Sequence, residues 1–165
     1  MTERTQSDSK LDPYERLEAL GIRLPKPSSP VANFLHVVEI GDLLFVSGQS
    51  PREANGALHT GKVGGGVSVK DAYQHARVAA INLLAVLEHH LGDLRRVRRI
   101  VKLLGMINSV PEFTDHPEVI NGCSDLLVEV FGHDIGRHAR SAVGFGSLPR
   151  QMTVEIEMIA AIRPA

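Results

Sequence analysis

Two charged side chains near the end of the chain, Arg140 and Glu155, are of the types needed for chemistry on a small acid. A guanidinium keeps its charge at physiological pH and presents a planar fork of donors that matches a carboxylate. A glutamate in a half-closed cleft can hold and polarise a water molecule. The structural alternatives are a salt bridge from Arg140 to Glu155 or Glu157, and a solvated strand face for the two glutamates. Both residues are therefore candidates for a functional site.

The segment that carries both residues is predicted to form two short strands around a turn. Leu148-Pro149 marks the turn, because proline has no N–H and restricts the residue before it. After the turn, apolar side chains recur at every second position, as in a strand with one buried face: Met152, Val154, Ile156, Met158, Ala160 and Ile162. Before the turn, the face that carries Arg140 is otherwise built from small residues: Ala142, Gly144 and Gly146. A hairpin of these strands would bring the arginine near a glutamate and leave room for a ligand or a neighbouring subunit.

The rest of the chain predicts the elements that must position this segment. A polar tail and a short helix over 13–20 precede a Pro-rich connector, and two strands over 34–40 and 43–47 follow. Ser68 and Asp71 predict the capped start of a long helix that ends at Gly92, and a strand over 100–109 and a helix over 117–131 come next. The order predicts a two-layer α+β domain, a mixed sheet with two long helices on one face. The bare sheet face favours an oligomer.

The motifs RSAVG, LP and VEIE, at their spacing here, resemble the C-terminal signature of the YjgF/Rid (reactive intermediate deaminase) family, also called L-PSP endoribonuclease-like. A second matching piece is Ser47-Gly48-Gln49, which begins 13 residues after the aromatic Phe34. The resemblance covers about 30–162. It implies a chorismate-mutase-like fold, with residues 1–29 as tail, helix and connector and 30–163 as the domain. It also implies a homotrimer with ligand clefts between subunits.

The same resemblance implies roles for individual residues. Arg140 falls on the residue that binds the substrate carboxylate, and Glu155 on the acid that activates water. Ser47 and Gly48 fall on residues that line the cleft. Asn108 matches the cleft asparagine, with a strand-end cap as its structural alternative. Two departures change the pocket wall: Phe34 stands where the family usually has Tyr, and Ala142 where Cys is common.

The function implied is hydrolysis of small reactive imines or enamines, such as 2-aminoacrylate, to 2-keto acids and ammonia without a cofactor. The alternative is a non-catalytic or differently specific protein that binds a small carboxylate in the same cleft. A chorismate-mutase-like reaction follows from the fold alone, which is a weak basis for function.

Composition argues against several other functions. The chain has 165 residues, 43% of them hydrophobic, and a net charge of −1, which gives no global field to attract nucleic acid. The basic run 95–99 is therefore interpreted as a solvated connection rather than an RNA site. One cysteine, Cys123, and the lack of a long apolar run predict a cytoplasmic protein that does not bind a membrane.

Two further patterns are interpreted as structural. The segment GALHTGKV nearly matches a phosphate-binding loop, but Val63 stands where Ser or Thr should hold magnesium, and three glycines follow where a helix should begin. The histidines form no HExxH motif, and Cys123 has no Cys partner nearby, so no metal is expected. Cys123 itself is predicted to be a packing residue.

Overall fold

The structure, a computed structural model, describes residues 12–30 and 32–164. The predicted polar tail lies almost entirely outside the described residues. The secondary structure runs in chain order as follows: α1 (Pro13–Ala19), β1 (Val37–Ile40), β2 (Leu43–Gln49), α2 (Val69–Leu91), β3 (Val97–Asn108), α3 (His116–Gly136), β4 (Ala139–Phe145) and β5 (Val154–Ile162).

The five strands form one mixed sheet in the order β1-β2-β5-β3-β4. β3 and β4 are parallel, and the other neighbouring pairs are antiparallel. The predicted hairpin of β4 with β5 is wrong, because β3 lies between them. α3 carries the chain from the end of β3 back to the start of β4, which makes those strands parallel neighbours and leaves β4 at the sheet edge.

The two long helices cover one face of this sheet, which confirms the predicted two-layer fold. The Ser68 hydroxyl accepts from the Asp71 N–H at 3.1 Å and caps α2 as expected. The buried face of α2 carries alanines and leucines that pack on β2 and β5. α2 and α3 also touch directly, and a Cβ at Gly122 would overlap the Tyr73 carbonyl oxygen. Only glycine allows this close approach of the two helix backbones.

The short helix α1 packs onto the same body. Asp12 and Glu15 form a capping box at its start, and the buried side chain of Leu17 joins the common core. The Tyr14 hydroxyl accepts a hydrogen bond from the Leu94 N–H at 3.0 Å. The segment before β1 is thus fixed to the helix layer.

The other face of the sheet is uncovered, and apolar side chains share it with the charged Lys102, Glu155 and Glu157. Its large apolar side chains are between 38% and 64% exposed: Val38, Ile40, Phe45, Val143 and Phe145. Paired residues of neighbouring strands share a face, so the pairs Val38–Phe45 and Phe45–Ile159 place Val38, Phe45 and Ile159 in one row. Separately, no helix in the described part of the chain has the length and apolar content to cross a lipid bilayer.

Candidate functional site

Arg140 lies on the edge strand β4, and its guanidinium points toward α3. Nη1 donates to Asn121 Oδ1 at 2.8 Å and to Ser124 Oγ at 3.0 Å. Nε and Nη2 make no hydrogen bond, and no carboxylate pairs with Arg140, within residues 12–30 and 32–164. The structural alternative, a salt bridge to Glu155 or Glu157, is not what the protein forms. A half-buried cation keeps two neighbouring donors, the arrangement that a carboxylate binds as a fork.

Glu155 lies on the opposite face of the sheet from Arg140 in the same protomer. Arg140 pairs with Leu103 of β3, which is buried under the helices. Glu155 pairs with Met106, three residues further along β3, and alternate residues of a strand point to opposite faces. One chain alone therefore cannot bring this guanidinium and this carboxylate together.

Glu155 is held against the backbone of Gly48. The register between β2 and β5 shifts between Val46 and Gln49, so Ser47 and Gly48 form an irregular step opposite β5. A Cβ at Gly48 would overlap the Glu155 carboxylate, so glycine is what lets the carboxylate lie there. Burial raises the pKa of Glu155, and the negative charge of Glu157 adds to the rise. A carboxyl with a raised pKa is suited to exchange a proton with water near neutral pH.

Phe34 and Ser47 lie beside this carboxylate-bearing step. The Ser47 hydroxyl donates to the Leu35 carbonyl at 2.7 Å, and the Ser47 N–H donates to the His36 carbonyl at 2.9 Å. These bonds hold the segment of Phe34 alongside the end of β2, and the Phe34 ring meets the His36 ring edge-on at 5.7 Å. Four predicted site residues thus form one set, which we term the glutamate group: Phe34, Ser47, Gly48 and Glu155.

The predicted residue Ala142 belongs instead with the arginine. It lies two positions after Arg140 on the same face of β4, and it packs at the edge of the core. Its small side chain adds no polar group to the wall beside the guanidinium. We term the second set the arginine group: Arg140, Ala142, Asn121 and Ser124.

Asn108 lies with neither group. It pairs with Phe145, five residues along β3 from Leu103, which puts it roughly 16 Å along the strand from Arg140. Its side chain is fully buried, and its amide donates to the Gly61 carbonyl at 3.3 Å and to Gln151 Oε1 at 3.4 Å. These contacts hold two loops together at the end of β3. This role is close to the strand-end cap that was the structural alternative for Asn108.

Asn121 and Ser124 were not identified from the sequence. Both lie on α3, 19 and 16 residues before Arg140, so nothing local connects them to the arginine. The available signal was their spacing of three, which places two polar side chains on one face of a helix whose neighbours are apolar.

The segments interpreted as structural have structural contacts. Val63, which stands at the magnesium position of a phosphate-binding loop, is fully buried, and the Lys62 ammonium donates to the carbonyls of Ser109 and Gly146. Burial raises the pKa of the Cys123 thiol far above its ordinary value, as expected for a packing residue rather than a nucleophile. Among the described residues, no three His, Cys, Asp or Glu side chains converge as metal ligands.

Comparison with known proteins identifies the family to which this fold belongs. The family profile described as "YjgF/chorismate mutase-like, putative endoribonuclease" matches residues 14–161. The chain belongs to this YjgF family, and its fold is the chorismate-mutase-like fold of that family. The match begins within α1, so it extends further toward the N-terminus than the motifs alone.

Individual relatives are similar over nearly their whole length. Protein TCP17 of Trypanosoma cruzi is 41% identical over 146 residues, which is 88% of this chain and 91% of that protein. The crystal structure of Atu1372 from Agrobacterium tumefaciens, a protein of unknown function, is 44% identical with a TM-score of 0.82, covering 90% and 92% of the two chains. A protein from Shewanella oneidensis called a "putative endoribonuclease" is 31% identical with a TM-score of 0.88, covering 92% and 100%.

Proposed function

We propose that this protein hydrolyses small reactive imines that carry a carboxylate, of the 2-aminoacrylate type, to 2-keto acids and ammonium. The water oxygen adds to the imine carbon, and the carbon–nitrogen bond then breaks. Both protons of the water end on the nitrogen, so a protonated imine and water give a ketone and ammonium. No cofactor is needed, because a protonated imine is already an electrophile.

The observation that carries this proposal is the unpaired fork of Arg140. Within the described residues, Nε and Nη2 of this half-buried guanidinium have no protein hydrogen bond and no carboxylate partner. Neither atom is buried from solvent, so a ligand anion can reach both donors. Asn121 and Ser124 occupy Nη1, which leaves Nε and Nη2 facing the same ligand. A planar 2-imino or 2-keto acid presents a carboxylate that fits those two donors.

The second half of the chemistry requires another copy of the chain. Since the sheet separates the glutamate group from the arginine group, Glu155 of one protomer must complete the site at Arg140 of the next. The exposed apolar side chains of the uncovered sheet face supply a surface for that association. A closed ring of three protomers, each giving its arginine group to one neighbour and its glutamate group to the other, satisfies every site.

Glu155 handles the water in this site. Its carboxylate takes a proton from the attacking water and passes it to the departing nitrogen, a role for which its raised pKa is suited. The Gly48 backbone at the same step faces the ligand without a side chain in between. Phe34 and Ala142 leave the wall apolar, which favours substrates with short aliphatic side chains.

A non-catalytic carboxylate-binding protein is the second candidate function. It uses the same Arg140 fork, and the observation that favours it is the absence of a hydroxyl at Phe34 and of a thiol at Ala142. Such a protein would bind 2-keto acids without turning over imines.

RNA cleavage, the activity suggested by the names of relatives, is disfavoured by how the basic run is used. Arg95 forms a salt bridge with Asp12 at 2.8 Å, and Arg98 forms one with Asp42 at 2.6 Å. Arg99 donates to the Asp134 carbonyl at 2.5 Å. A phosphate would have to compete with these protein partners for each guanidinium, and phosphate contacts supply most of the affinity for nucleic acid.

The experiment that tests the proposal is an imine-hydrolysis assay in which an amino-acid oxidase generates the imine in place. We expect the wild-type protein to accelerate formation of the keto acid, and Arg140→Ala to abolish the acceleration. Arg137→Ala, which changes an exposed arginine near β4, is the matched control and should retain the wild-type rate. Tight 2-keto acid binding without any rate acceleration would support the second candidate function instead.

A further inference from the structure

A chain of hydrogen bonds connects Arg140 to a histidine that no part of the proposed mechanism uses. Arg140 Nη1 donates to Ser124 Oγ at 3.0 Å, and Ser124 Oγ lies 3.0 Å from His138 Nε2. His138 Nδ1 lies 2.7 Å from the Gly136 carbonyl oxygen. The side chains of Arg140, Ser124 and His138 are all half-buried.

The direction of each bond follows from what the groups can do. A carbonyl oxygen only accepts, so the hydrogen of a neutral His138 lies on Nδ1. Nε2 then presents a lone pair, which the Ser124 hydroxyl donates to. The Ser124 oxygen is thereby oriented to accept a hydrogen bond from Arg140. Ser124, His138 and the Gly136 carbonyl together fix the guanidinium so that Nε and Nη2 remain for a ligand.

We propose that Ser124 and His138 are positioning residues for Arg140, and that binding of a ligand carboxylate at Arg140 is coupled to proton uptake at His138. The inference rests on the proposed function, because it takes the Arg140 fork as the carboxylate site. The ligand class is the same, a small 2-keto or 2-imino acid, and the new element is the linkage of its binding to pH.

The charges around His138 determine the sign of that linkage. Two cations act on it, Arg140 from β4 and Arg99 from β3, whereas α3 presents the neutral Ser124 hydroxyl. The α3 carboxylates Asp125 and Glu129 are bound instead by Tyr73 and Arg77 of α2. Burial lowers the pKa of His138, the Gly136 carbonyl opposes this, and the two arginines lower it further.

A bound carboxylate offsets the positive charge of Arg140 and so removes one cause of the lowered pKa. An anion close to a histidine favours its protonated form. Binding therefore raises the pKa of His138, and by linkage the affinity for the carboxylate increases as pH falls below about 6.5, the ordinary histidine value. At higher pH, His138 is neutral in both states and the affinity no longer depends on pH.

The test measures proton uptake during 2-oxobutanoate binding, by calorimetry in buffers of different ionisation enthalpy between pH 5 and 8. The experiment uses the Glu155→Gln protein, so that the carboxyl of the proposed site does not contribute to the measured proton uptake. We expect proton uptake on binding at acidic pH, and we expect it to disappear by pH 8, where His138 is neutral in both states. Adding His138→Gln, which keeps an acceptor for Ser124, should abolish the uptake and preserve binding at pH 8. Adding His133→Gln, an exposed histidine of α3, should leave the uptake unchanged.

Ser124→Ala tests the positioning role without changing any titratable group. Loss of one hydrogen bond to a charged group should weaken 2-oxobutanoate binding by roughly 10-fold at pH 8. The inference is overturned if binding persists without proton uptake, if His138→Gln leaves the uptake in place, or if Ser124→Ala binds as the parent does. A complete lack of 2-oxobutanoate binding by the wild-type protein at every pH is a different result, which overturns the proposed function and the inference with it.

Discussion

At the scale of single residues, the proposed site depends on the two free donors of Arg140. Arg140→Ala should weaken the binding free energy of 2-oxobutanoate by about 2–5 kcal/mol, which is the usual cost of removing one member of a desolvated charge pair. Arg140→Lys should recover little, since an ammonium cannot reproduce the planar fork. Calorimetry on both variants checks this. Equal binding by wild type and Arg140→Ala would mean that the arginine is structural.

Glu155 provides a pH-dependent prediction. A carboxyl whose pKa is higher in the folded than in the unfolded state contributes its full stabilisation below the unfolded pKa, and that stabilisation is lost as pH rises through the folded pKa. Burial and Glu157 raise the pKa of Glu155, so Glu155→Gln should raise the melting temperature at pH 7 and leave it nearly unchanged at pH 4. Thermal unfolding measures this, with the exposed Glu118→Gln as control. A variant less stable than wild type at pH 7 would contradict the assigned environment.

Only some residues of the arginine group and the glutamate group could be predicted from the sequence. Arg140, Glu155 and Gly48 stand in motifs with fixed spacing, so they could be chosen before the fold was known. Asn121, Ser124 and His138 acquire their roles only because α3 lies over β4. Asn108 was assigned to the cleft by its match to the family's cleft asparagine, and in the structure its buried side chain contacts two loops.

At the scale of elements, the local sequence patterns predicted which helices and strands form, but they did not predict which strands pair with each other. The alternating face of β5 is confirmed, with Val154, Ile156 and Ala160 fully buried. The proline turn correctly separates β4 from β5. Their pairing was wrong because β3, some 50 residues before β5, provides a longer apolar partner than the short edge strand does. Pairing between strands that are distant in sequence depends on the whole fold, and a turn motif alone does not determine it.

The contact between α2 and α3 at Gly122 is the element-scale prediction. Gly122→Ala places a methyl group on the Tyr73 carbonyl, and neither backbone can move without disturbing the core. The cost should be at least about 2 kcal/mol, as for other overpacked sites, and should appear as a lower midpoint in urea unfolding. Gly146→Ala, where a Cβ meets nothing within 4 Å, is the matched control. A Gly122→Ala protein as stable as this control would contradict the close packing.

At the scale of the whole molecule, the uncovered sheet face predicts an oligomer, and the resemblance to the YjgF/Rid family predicts that it is a homotrimer. Phe45 lies on that face between Val38 and Ile159, and a charge there should be tolerated by the fold but not by an apolar interface. Light scattering behind a sizing column should report a trimer for wild type and a smaller species for Phe45→Asp. Leu20→Asp, similarly exposed at the end of α1, should remain trimeric. A wild-type monomer at micromolar concentration would exclude the shared site.

The shared site itself is tested most directly by co-expressing Arg140→Ala and Glu155→Gln chains with different tags and purifying the mixed oligomers. Each variant alone should fail to hydrolyse the imine. In every mixed trimer, about a third of the sites combine the intact arginine of one chain with the intact glutamate of the other. We therefore predict that the mixed protein recovers about that fraction of the wild-type rate. Mixed oligomers as inactive as the two parents would contradict a site built from Arg140 of one protomer and Glu155 of the next.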